Sequence, residues 1–193
     1  DSKAGYNVTT PQQAWVYWNT LQHQRTAGEV FEIAMEHARR AVERAKARTG
    51  QDIDVISFAE LKSKQAYSLP KQDASLNFPE QSRLATRALI ESLGITRPTV
   101  VMGFGSIPYS AVSLRDESLR ATVSEAVQPF GLGLVNYFAG ISDMSFFGEA
   151  SGDLSVVASN TPIWGTSFTL AEPAGYPCIN IGPWGRDYHH WLE

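Results

Sequence analysis

Thr49-Gly50-Gln51-Asp52-Ile53-Asp54-Val55-Ile56-Ser57-Phe58 marks the change of period that decides the fold. Upstream of it, Val30, Phe31, Ala34, Ala38, Ala41, Val42 and Ala45 recur at helical spacing, which predicts an amphipathic helix. Thr26-x-x-Glu29 has the form of a capping box and signals the helix start, and Gly50 signals its stop. The charges Glu32, Glu36, Arg39, Arg40, Glu43 and Arg44 fall mostly on the other face and read as solvated surface. Downstream, Ile53 to Phe58 alternates weakly and predicts a strand, with a short helical piece from Ala59 to Ala66.

The same contrast of periods recurs on both sides. Ala14 to Leu21 is dense in aromatic and β-branched residues and predicts a strand before the first helix. After a polar loop from Tyr67 to Asn77, a second long helix is predicted from Pro79 to Leu93, with Leu84, Ala88, Leu89 and Leu93 on one face and Gly94 as its stop. Thr99 to Phe104 reads as a buried strand and Gly105 to Tyr109 as the turn leaving it. A third helix, Asp116 to Gln128, carries Leu119, Val123, Ala126 and Val127, and Leu134 to Phe138 is a further strand candidate. Strand and helix alternate, so the fold class is α/β, a sandwich with helices on one face of a sheet. Beyond about Gly140 long helices disappear and Gly, Ser, Asn and Pro become frequent. The reading therefore divides the chain into a first unit, 1–135, and a second, 136–193.

Composition narrows the function classes. In 193 residues, 43% hydrophobic content is enough for a core. A net charge of -4 with mixed signs supplies no basic field, which argues against a nucleic-acid partner. No apolar run approaches the roughly 20 residues that span a bilayer, and the polar start Asp1-Ser2-Lys3-Ala4-Gly5 does not read as a signal peptide. The single cysteine, Cys178, forms no internal disulfide, so a reducing, cytoplasmic setting is expected. The absent initiating methionine and the stop at Glu193, directly after the most site-like segment, lead us to expect a fragment.

Two segments of the last third carry candidate chemistry. Gly140-Ile141-Ser142-Asp143-Met144-Ser145 is either a simple helix cap, with Ser142 capping and Asp143 favoured by the helix dipole, or a helix N-terminus whose free N–H groups and hydroxyls face a substrate carboxylate or carbonyl. Cys178-Ile179-Asn180-Ile181-Gly182-Pro183-Trp184-Gly185-Arg186-Asp187-Tyr188-His189-His190-Trp191-Leu192-Glu193 reads as a short apolar strand running into a loop that carries two histidines and carboxylates. Those histidines are either a solvated tail or a metal site, with Asp187 or Glu193 holding the second ring nitrogen. His37 sits on the polar side of the first helix and reads as exposed, and His23 stays open.

Together these segments resemble the C-terminal half of the M20-family zinc metallohydrolases, and more closely their RocB-like arginine-utilisation branch. The resemblance also draws on Thr10-Pro11 and Trp18-Asn19, and it is strongest after Phe138. It implies that 1–135 is a lid, or dimerisation, domain and that 136–193 returns into a zinc-peptidase-like α/β catalytic domain. It further implies zinc as cofactor with His189 as a ligand, and Ser142, Asp143 and Asn19 on the substrate side. The implied activity is hydrolysis of a peptide or N-acyl amino-acid amide in a cytoplasmic homodimer. Ile141 departs from the family's Thr, and His190 has no counterpart role. The family's His-x-Asp and Glu-Glu motifs occur nowhere in this chain. The missing N-terminal half of the catalytic domain is thus an implied partner, and the chain alone is expected to be inactive. The rival expectation is a non-catalytic dimerisation or binding module.

Overall fold

A computed structural model describes residues 12–20, 25–66, 73–106, 114–135, 154–166, 176–179 and 181. The first helix, α1, spans Ala27–Thr49 and begins in the expected capping box. The Glu29 N–H donates to Thr26 Oγ1 at 3.2 Å and the Thr26 N–H donates to Glu29 Oε2 at 2.7 Å. Gly50 ends the helix at φ +70°, a left-handed conformation in which a Cβ would be strained, and its N–H donates to the Lys46 carbonyl. Phe31, Met35 and Val42 are the buried residues of α1. Phe31 and Val42 belong to the apolar spacing that predicts the helix; Met35, one turn after Phe31, is buried with them.

Strand β1, Asp54–Ser57, runs directly into α2, Phe58–Ser63, with Ser57 as cap. Asn77 caps α3, Phe78–Ser92, and β2 follows at Thr99–Met102. β1 and β2 pair in parallel, Asp54 opposite Thr99 through Ser57 opposite Met102, so α2 and α3 form the crossover of a β-α-β unit. The chain is therefore a mixed α/β protein, as its alternating periods predict.

The core lies under one face of this pair. Phe58 and Leu61 of α2 meet Leu89 of α3, and Ile56, Ile90, Leu93, Ile95 and Val101 pack around them. Ile56 and Val101 are register partners, so both strands send a side chain to this face. Leu61 and Leu89 are fully buried, and each such side chain contributes about 1.5–3 kcal/mol.

Three expectations require correction. Residues 12–20 form no strand although they are rich in β-favouring types. Trp15, Val16, Tyr17 and Trp18 are exposed there, and β propensity without a paired strand and a covered face does not make a strand. The face that α3 buries is only partly the expected one: Leu89 is buried and Leu93 packs on the core, but Gln81, Ser82, Ala85 and Thr86 are also inside, while Leu84 and Ala88 are half-buried. Polar groups tolerate that position when satisfied locally: Gln81 Nε2 donates to the Leu76 carbonyl and Thr86 Oγ1 to the Ser82 carbonyl. The third correction concerns α4, Glu117–Val127, which forms where expected under an Asp116 cap but buries none of its residues. Among the described elements, its main contacts are with the 3-10 turn Gln128–Phe130 that follows it.

The last described helix, α5, Ser155–Asn160, packs against α1 and α2. Val157 and Ile163 are fully buried in this segment. The division at 135/136 falls ahead of it in sequence, yet 154–166 is joined in space to elements of 1–135. No helix among the described residues is long and apolar enough to cross a membrane.

Candidate functional site

In open α/β sheets, ligands bind beyond the carboxyl ends of parallel strands, where loops leave a fixed backbone. Here that end comprises Ser57, the last residue of β1, with Phe58 after it, and Gly103 to Ser106 after β2. One residue that the sequence reading did not single out, Asn160 at the end of α5, ties both together. Its side-chain oxygen accepts the Ala59 N–H at 3.0 Å, within the first turn of α2. Its amide nitrogen donates to the Val156 carbonyl at 3.0 Å and to Ser159 Oγ at 3.3 Å. Its main-chain carbonyl accepts the Phe104 N–H at 2.8 Å.

Gly103 makes this approach sterically feasible. A Cβ there would stand 2.8 Å from the Asn160 carbonyl oxygen and 3.2 Å from Phe58 Cβ. Phe104 then turns onto α1 and stacks on Phe31, with ring centroids 5.2 Å apart. The only sequence signal for Asn160 is its place before Thr161-Pro162, which reads as a helix stop and says nothing of the distant donors it meets.

The start of α2 also carries the one carboxylate at this end with a shifted titration among the described residues. Glu60 Oε2 accepts the Ser57 N–H at 2.6 Å, and the Glu60 N–H donates to Ser57 Oγ at 3.1 Å. The hydrogen bond from the Ser57 backbone, followed by that from its side chain, holds the Glu60 carboxyl below the ordinary value of 4.5. Its role in this geometry is capping.

Of the substrate-side residues expected from sequence, Asn19 alone is described. It is exposed, on the irregular segment 12–20. That segment passes the loop after β2, since a Cβ at Gly105 would lie 3.9 Å from both the Trp15 ring and Tyr17 Cβ. Asn19 follows Tyr17 by two positions. Ser142, Asp143 and the expected zinc ligand His189 lie outside the described residues, as do His23, Asp187, His190 and Glu193. His37 is exposed on α1, and Cys178 is a half-buried free thiol. Among the described residues no three His, Cys, Asp or Glu side chains come together to hold a metal.

Comparison of the sequence with known proteins finds two bacterial relatives. The chain is 27% identical over 234 aligned residues to a Bacillus subtilis (strain 168) protein described as uncharacterized protein YqjN. It is 26% identical over 238 aligned residues to protein RocB of the same organism. Each alignment covers 100% of this chain but 42% of the relative, so the chain spans less than half the length of the curated relatives it matches. No family model matches the sequence. No solved structure matches it.

Proposed function

We propose that this chain is part of an M20-type, zinc-dependent amidohydrolase or peptidase that cleaves a peptide or N-acyl amino-acid amide, in arginine or amino-acid catabolism. The observation that supports this reading is the similarity to RocB along the whole chain, which includes both site-like segments. In this reading His189 is one zinc ligand, while Ser142, Asp143 and Asn19 face the substrate. Zinc would supply a polarised carbonyl and an activated water. The donor set of this chain does not suffice for that role. A catalytic zinc takes about three protein ligands, and only His189 is assigned here. The remaining ligands and the general-base carboxylate would come from polypeptide outside this chain, so no catalytic step is assigned to its residues. A cytoplasmic homodimer belongs to the same proposal.

Metal analysis of the intact protein that contains this segment tests the reading. Stoichiometric zinc that falls on His189→Ala, together with amide hydrolysis lost on chelation and restored by zinc, is the expected result. Zinc content untouched by the substitution, or a coding sequence that lacks His-x-Asp and Glu-Glu motifs upstream, would overturn it.

A second reading, a non-catalytic binding or dimerisation module, is favoured by one observation. Helix α4 buries no residue, and Phe130, Leu132 and Val135 after it are exposed. An intact protein that self-associates through this region but binds no zinc would support it over the enzyme.

A further inference from the structure

We draw no further inference here: the strongest candidate, the exposed apolar surface patch of Phe130, Leu132 and Val135 that follows the unburied helix α4, carries nothing because nothing in the structure shows what covers it.

Discussion

Gly103 and Asn160 hold one another in place, and each makes the other sensitive to change. Replacing Gly103 by Ala drives a methyl group to 2.8 Å from a main-chain oxygen, and backbone cannot retreat as a flexible side-chain end can. The Phe104 to Asn160 hydrogen bond must then lengthen or break. We expect Gly103→Ala to cost about 1–3 kcal/mol, read as a lower urea midpoint of the 193-residue chain. Asn160→Ala removes the acceptor of the Ala59 N–H and leaves that partly buried donor unpaired, at a cost of about 1–3 kcal/mol. An unchanged midpoint for both variants would mean that 154–166 does not dock as described. Ser82 predicts the opposite sign. Its hydroxyl is fully buried with no hydrogen-bond partner, so Ser82→Ala discards an unsatisfied polar group without opening a cavity. Thermal melting should show a midpoint equal to or above that of the parent.

At the scale of elements, helix boundaries are the most legible part of this chain. Thr26, Ser57, Asn77 and Asp116 each accept a hydrogen bond from the main chain three residues on, and each stands ahead of its helix in sequence. Such caps are local; the sequence alone marks the Thr26 box, whereas Ser57 reads as strand and Asn77 as loop until the helices they cap are seen. The docking of α5 is not local: its contacts join Asn160 to Ala59 across a sequence separation of 101. No periodicity announces that kind of pairing. The candidate site was readable only as motifs, because Ser142, Asp143 and His189 gain meaning from partners that the sequence does not place. The caps also carry a pH dependence. The Glu29 and Glu60 carboxyls are both held below 4.5, chiefly by main-chain hydrogen bonds from their cap residues. The unfolded chain therefore binds protons at a pH where the folded chain still refuses them. The stability these groups contribute is complete above 4.5 and is lost as pH falls through the lower folded values. Helical circular dichroism during acid titration should fall less steeply in that window for Glu60→Gln, because a glutamine can keep the cap without titrating.

For the whole molecule, the decisive relation is between the described sheet and the share of its relatives that this chain spans. Only Ser57 is buried among the eight residues of β1 and β2, and parallel strands are ordinarily covered on both faces. The relatives supply more than twice this length of polypeptide. If the proposed zinc site belongs to the intact protein, its geometry depends on ligands from both sources, and an isolated imidazole on this chain binds zinc without activating water. We therefore expect the 193-residue chain, supplied with excess zinc, to hydrolyse no N-acyl amino acid or dipeptide above the rate of zinc alone. The assay should compare this chain with its His189→Ala variant and with a chelated sample. Equal rates in all three, after subtraction of free-metal controls, are the expected outcome. Turnover by the parent chain that chelation abolishes and His189→Ala lowers would show that a complete metal site forms within these residues, and it would overturn the two-part account of the site while leaving the hydrolase reading in place.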